Sequence, residues 1–323
     1  MIFPGQLPAD DGFTGATLTD VDHGTAIMAK IAGRTVGIAT NATLVLGRVS
    51  DGVGFVDYGS FLDLLLKVYD DIRQRDKKQI CIISLSYLIR IPQAGLELDT
   101  NQYLYHIGTK DEGDHLRFHQ AARDALDEII DVIMKLPNTF FVVAAGNRTP
   151  KDPIDHYPSI LGKVYGADSK FIVVGGYSPI DGINLFQTAP FVHTSAPAEW
   201  VNVPARWKNG RPEEQYEFSL GPFHRKQELT FSPGTSHAAP AVSGMIAAWL
   251  SIGIKAKDIV PFMKKLAHPR VKGGPKVLYN GVPISRWEKK QVPTWFKAKR
   301  KTPPPPDTLS EPLSEEGDIL ENL

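Results

Sequence analysis

Three residues far apart in the chain carry groups that together could transfer an acyl unit. Ser236 stands in "SPGTSHAAPAVSG" (232–244), between a glycine turn and a run of small residues. His23 precedes Gly24 and Thr25 in "DHGTAIMAKIAG" (22–33), at the start of a helical pattern that ends at Gly33. Asn147 follows the apolar run "FFVVAAG" (140–146), just past the end of a strand pattern. A hydroxyl is a weak nucleophile until a base takes its proton, which an imidazole can do. An amide N–H aimed at the developing oxyanion supplies the third part. Alone, Ser236 reads equally well as the cap of a core helix, a position that serine favours. The conjunction with His23 and Asn147 points to one acyl-transfer site.

The elements that must position these groups follow from periodicity. Apolar and small residues run from Ala238 to Leu250 without a charge, which describes a helix buried all round. Pro240 fits only a first turn, so the helix is expected to begin a few residues upstream, at Ser236. There the dipole and the free N–H groups favour negative charge. Gly234 permits a tight approach, and Ala238 and Ala239 leave room for a substrate backbone.

Extended and helical patterns alternate elsewhere. Strands are expected at 42–49, 79–88, 139–146 and 170–177, and helices at 61–74 and 115–136. Nearly continuous Val/Ile strands between amphipathic helices predict an α/β fold, a parallel sheet covered by helices on both faces with right-handed crossovers. Ligands then bind beyond the carboxyl ends of the strands. Residues 178–230, rich in Pro, Gly, Asn and aromatics, read as surface loops, turns and short antiparallel strands rather than a second domain. Residues 297–323 combine "KAKRK", four prolines and an acidic end, the composition of a disordered tail. The basic cluster reads as solvated tail in preference to a nuclear or nucleic-acid address.

Composition excludes some classes. With 323 residues, 42% of them hydrophobic, the chain can bury a large core. Lys+Arg and Asp+Glu balance at 36 each, so no net field draws nucleic acid or an anionic membrane. The single cysteine, Cys81, allows neither an intramolecular disulfide nor a cysteine zinc cluster, and its apolar setting predicts a buried, inert thiol. No stretch is long and apolar enough to span a membrane, and "MIFPGQLPADDG" has neither the basic nor the apolar region of a secretion signal. "GVGFVD" (52–57) has Asp57 where a dinucleotide fingerprint needs its third glycine. His115 and His119 have the i, i+4 spacing of metal ligands, with Glu112 and Asp114 nearby, but a solvent-facing helix accounts for them as well. His237 is expected to point away from the site. The Gly-x-Ser-x-Gly elbow of α/β-hydrolases is absent from the sequence.

At these motifs the chain resembles the subtilisin-like serine peptidases, the subtilase family S8. "HGTAIMAKIAG" resembles the family's histidine motif, "VVAAGN" its oxyanion asparagine motif, and "GTSHAAP" its serine motif, over about residues 12–266 and in the family's order. The resemblance implies a three-layer α/β/α domain over 1–296, with His23 as general base and acid, Ser236 as nucleophile and Asn147 as side-chain oxyanion donor. It further implies that Ser84, Leu85 and Ser86 in "ISLSYL" pair with an extended substrate, and that Ala144, Ala145 and Gly146 form a wall of the primary specificity pocket. The partner it implies is a peptide or protein substrate, neither nucleic acid nor membrane. It requires no cofactor; calcium is a possibility the resemblance leaves open, with no site identified because these loops have no diagnostic residues.

The family's aspartate motif, Asp-Ser-Gly or Asp-Thr-Gly on an apolar strand, has no match ahead of His23. Asp10, Asp11, Asp20 and Asp22 lie there, but "DDGFTGATLTDVDHGT" resembles the loop that follows the aspartate strand. The expectation is therefore a chain beginning just after the aspartate, with none of the four reaching the His23 Nδ1 from the family's position. Loss of that aspartate alone lowers turnover about 3 × 10⁴-fold in subtilisin. Two functional readings stand: a serine endopeptidase acting through an acyl-enzyme, and a catalytically weak subtilase-like domain that binds peptides or protein partners in the same cleft. The compartment stays open between secreted or vacuolar, for a chain that is part of a longer protein, and cytoplasmic.

Overall fold

β-Branched and aromatic residues fill two runs, Thr139–Ala144 (β3) and Phe171–Tyr177 (β5), and every residue of both is buried. Alternate side chains leave opposite faces of a strand. Accordingly Phe140, Val142, Ile172 and Val174 join one apolar cluster, while Phe141, Val143, Phe171 and Val173 join another on the far side. The first cluster is closed by the helices Thr235–Ser251 (α5) and Ile259–Leu266 (α6); the second receives Tyr58–Gln74 (α2), Glu112–Met134 (α3) and Tyr165 of the short helix Gly162–Tyr165 (α4). This is the three-layer α/β/α arrangement expected from the sequence. In the computed structural model the described residues are 23–34, 36–47, 58–75, 79–86, 89–90, 112–180, 182–199, 201–204, 207–208, 211–212 and 229–278. No described helix is long and apolar enough to cross a membrane.

The main sheet has the order β1-β3-β5-β6-β12-β11, where β1 is Cys81–Leu85, β6 is Thr194–Pro197, β11 is His268–Pro269 and β12 is Lys276–Val277. All neighbours run parallel except β11 and β12. Three further two-stranded pairs occur among the described residues: Ile89–Arg90 (β2) with His156–Tyr157 (β4), Val201–Pro204 (β7) with Leu229–Ser232 (β10), and Trp207–Lys208 (β8) with Arg211–Pro212 (β9). The carboxyl ends of β1 and β3 lie together, Leu85 opposite Val143.

Several expectations are corrected. Residues 42–46 form no strand, and only Gly47 is bridged. The segment passes beside α2, where the missing Gly47 side chain leaves room for Leu64. The region 178–230 is not all surface, because β6 is an inner strand of the sheet. Its "TSAP" has no apolar run to reveal it; buried Thr194 is satisfied instead by donating from Oγ1 to the Lys276 carbonyl at 3.2 Å. Cys81 is half-buried rather than buried, on the outermost described strand of the sheet, and burial pushes its thiol up. α5 begins at Thr235, so Pro240 is its sixth residue and sits past the first turn. Its missing N–H leaves the Ser236 carbonyl, four residues back, without that helical donor. Asp10, Asp11, Asp20, Asp22, the "GVGFVD" motif and the expected tail from residue 297 lie outside the described residues.

Candidate active site

Two helices deliver the histidine and the serine. His23–Ala32 (α1) opens on His23, and α5 carries Ser236 as its second residue. Buried Gly244 on α5 lets the helices close up: a Cβ there would lie 3.2 Å from the Ile31 carbonyl and 3.0 Å from the Ile38 Cβ. At the other end the His23 and His237 rings are 5.7 Å apart. The helices therefore run side by side in the same direction. Ile31 and Gly244 stand two turns beyond His23 and Ser236 respectively, about 12 Å along each axis. The two N-termini meet, and with them His23 and the turn that carries Ser236.

Gly234 forms that turn. Its φ of 130° belongs to a region that only glycine occupies without strain. Its N–H donates to the Ala198 carbonyl at 2.8 Å, and its own carbonyl accepts the His237 N–H at 3.0 Å. The point where a Gly234 Cβ would stand is 3.0 Å from Ser236 Oγ and 3.3 Å from Asn147 Nδ2. The hydroxyl and the amide thus converge on one side-chain-free spot.

Asn147 reaches it from the end of β3. The Thr235 N–H donates to Asn147 Oδ1 at 2.8 Å, and Thr235 Oγ1 donates to the same oxygen at 2.9 Å. A backbone N–H can only donate, so the amide oxygen must face Thr235, and the NH₂ is the end left beside Ser236. The Gly146 N–H donates to Thr235 Oγ1 at 3.2 Å and ties the preceding residue to the same hydroxyl. The Ser236 N–H lies in the first turn, where a helix has no upstream carbonyl to receive it. Two donors, the Asn147 NH₂ and the Ser236 N–H, are thereby available beside one hydroxyl.

Among the described residues, His237 has His23 and Lys30 as its charged neighbours. His237 is 1% exposed, and burial, with His23 and Lys30 as neighbours, pushes its imidazole down to about 4. Burial also lowers the Lys30 ammonium. His237 was expected to point away; it packs against His23 instead, because the parallel approach of α1 aims the helix start at it.

Ser84 and Ser86 lie at the carboxyl end of β1, their hydroxyls buried and without hydrogen-bond partners among the described residues. Leu85 between them turns into the α2–α3 cluster. Ala144 and Ala145 are buried on opposite faces of the sheet, so their methyl groups serve the core, and the Ala144 carbonyl accepts from Ser159 Oγ. Gly146 is buried with φ 122°, and a Cβ there would overlap Gln187 Oε1. His119 is buried edge-on against Tyr58, where a solvent-facing helix was expected. The described residues contain no group of three or more His, Cys, Asp or Glu that could hold a metal.

Thr235 and Gln187 are the contributors that motif reading missed. Thr235 was visible inside "GTS", though nothing local assigns its hydroxyl to a residue 88 positions away. Gln187 sits in a loop without a motif.

The subtilase family model matches residues 10–257. A solved structure described as a cold adapted subtilisin-like serine proteinase is 17% identical, with a TM-score of 0.50 over 81% of this chain and 75% of that one. A protease of Pseudoalteromonas arctica is 16% identical, with a TM-score of 0.47 over 76% of this chain and 64% of that one. No curated protein matches the chain.

Proposed function

The chain belongs to the subtilase family, and we propose that it is a serine endopeptidase that cleaves extended peptide or protein substrates through an acyl-enzyme on Ser236. His23 takes the hydroxyl proton as Oγ bonds to the scissile carbonyl carbon, and returns it to the leaving amine as the C–N bond breaks. The charge gathered on the carbonyl oxygen is received by Asn147 Nδ2 and the Ser236 N–H. Water then attacks the ester, His23 again moving the proton, and Ser236 is restored. The substrate backbone lies along Ser84–Ser86 and Ala144–Gly146, at the carboxyl ends of β1 and β3. No cofactor enters these steps.

One observation carries the reading. Thr235 fixes the Asn147 oxygen so that the amide NH₂ and Ser236 Oγ share the space beside Gly234. A cap role for Ser236 would not call for a donor held in that orientation.

A fluorophosphonate probe tests it, because the probe reacts only with an activated hydroxyl. Labelling of the folded chain at Ser236, abolished in Ser236→Ala and slowed in His23→Ala, is the expected result. A folded chain that stays unlabelled, or is labelled elsewhere, overturns the reading. The rate also reports how well His23 is oriented, a property worth about 3 × 10⁴-fold in subtilisin.

A further inference from the structure

Gln187 is fully buried, yet it stands in a loop, Ile183 to Phe191, that supplies none of the three site residues. Its amide bridges two points of the segment following β3. Oε1 accepts the Arg148 N–H at 3.2 Å, and Nε2 donates to the Pro153 carbonyl. The orientation is fixed by its partners, since Arg148 N–H can only donate and Pro153 C=O can only accept. The same oxygen occupies the space a Gly146 Cβ would need. Asn147 is therefore flanked by Arg148, which Gln187 bonds, and by Gly146, against which the same oxygen packs. Thr235 Oγ1 also accepts the Gly146 N–H at 3.2 Å. Arg148 adds a strut, its Nη2 reaching Asp155 Oδ1 at 2.6 Å and the Pro153 carbonyl at 3.0 Å.

We infer that Gln187 is a positioning residue for the oxyanion donor: its buried amide sets the backbone on either side of Asn147 and so the place of the Asn147 NH₂. The inference rests on the serine-peptidase reading above for its catalytic consequence. It touches neither substrate nor reacting atoms. A displaced donor stabilises the oxyanion less while leaving ground-state binding alone, so the loss falls on kcat and not on KM.

The test compares Gln187→Met, which keeps the volume and removes both hydrogen-bonding groups, with Gln187→Glu, whose protonated carboxyl offers one acceptor and one donor as the amide does. Phosphonylation of Ser236 and kcat on a peptide substrate should fall about ten- to hundredfold in Gln187→Met, short of the 10²–10³ for losing a donor outright, with KM within about twofold. Measured as a ratio to wild type at the same pH, Gln187→Glu should recover part of the loss at low pH, where its carboxyl is protonated, and lose it again as pH rises. In an Asn147→Ala background Gln187→Met should change the rate less than about twofold, because two residues acting through one group are not additive. Equal losses in both backgrounds, a rise in KM at constant kcat, or an unchanged rate in Gln187→Met would overturn the inference. If the wild-type chain is not phosphonylated at all, the peptidase reading fails by itself, and hydrogen exchange decides about Gln187. The Arg148 amide should then exchange at least about tenfold faster in Gln187→Glu at high pH, or in Gln187→Met, while the β5 amides keep their protection; an unchanged Arg148 amide overturns the positioning role.

Discussion

The imidazole rings of His23 and His237 lie 5.7 Å apart and tilted by 57°. Two titratable rings in such contact cannot both be charged at small cost. Burial, and the nearby His23 and Lys30, assign the neutral state to His237, whose pKa is pushed down to about 4. Between pH 5 and 8 His237 should therefore add no charge beside His23. Its ring protons should show no NMR titration in that range, and Ser236 phosphonylation should follow a single acidic group. Replacement by Gln should leave that acidic limb in place. A His237 midpoint near the ordinary imidazole value would show a solvated ring and remove the packing argument.

Thr235 links Gly146 to Asn147 through one hydroxyl. Thr235→Val keeps the β-branched shape but leaves the Gly146 N–H and one lone pair of Asn147 Oδ1 unpaired, a loss of about 1–3 kcal/mol in stability. The Thr235 N–H still holds the amide. Phosphonylation should consequently slow about tenfold, against 10²–10³ for Asn147→Ala. Thr235→Ser should behave nearly as wild type. Equal rates for the Val and Ser variants would remove the hydroxyl from the account.

Gly234 is required twice over, by its φ of 130° and by the space it leaves. In Gly234→Ala the new methyl group would press on Ser236 Oγ at 3.0 Å and on Asn147 Nδ2 at 3.3 Å. Backbone strain of this kind amounts to about 1–3 kcal/mol, visible as a lower urea midpoint. Activity should suffer more than stability, with labelling slowed at least about a hundredfold because the hydroxyl and the donor are pushed apart. A stable Gly234→Ala chain labelled at the wild-type rate would show that the two groups need not share that spot.

The sheet's centre was legible because β3 and β5 are buried on both faces, and only continuous apolar runs satisfy that environment. β6 was not legible: Thr194 and Ser195 are buried polar residues, and one of the partners that makes them tolerable, Lys276, lies 82 residues onward. The site divides in the same way. His23, Asn147 and Ser236 sit in crowded small-residue contexts that a chain edge cannot otherwise explain. Gln187 binds across 39 residues and Thr235 across 88, and a contact of that range leaves no local pattern. The helix starts at Thr235, one residue ahead of the expected Ser236, and accepts Pro240 in its second turn, so the proline does not mark the start to the residue.

Stability should fall in acid for a reason unconnected with the site. His193 is 4% exposed, and its Nδ1 accepts the Val173 N–H at 3.2 Å, an arrangement open only to the neutral ring. Burial first, and the Lys264 charge second, push its pKa down to about 4 from 6.5. Above pH 6.5 the ring is neutral in both folded and unfolded chains and contributes no pH dependence. As pH falls below 6.5 the unfolded chain takes up a proton that the folded one refuses, so stability declines until pH reaches about 4. At 1.36 kcal/mol per pH unit the loss is on the order of 3 kcal/mol. His237 should act in the same direction, so the test must isolate one ring. Urea unfolding of wild type and His193→Gln at pH 7, 5.5 and 4 does so: the variant should be less stable at pH 7, where it cannot reproduce the buried acceptor, and should lose less on acidification. Parallel pH profiles for the two proteins would show that His193 titrates alike in the folded and unfolded chains.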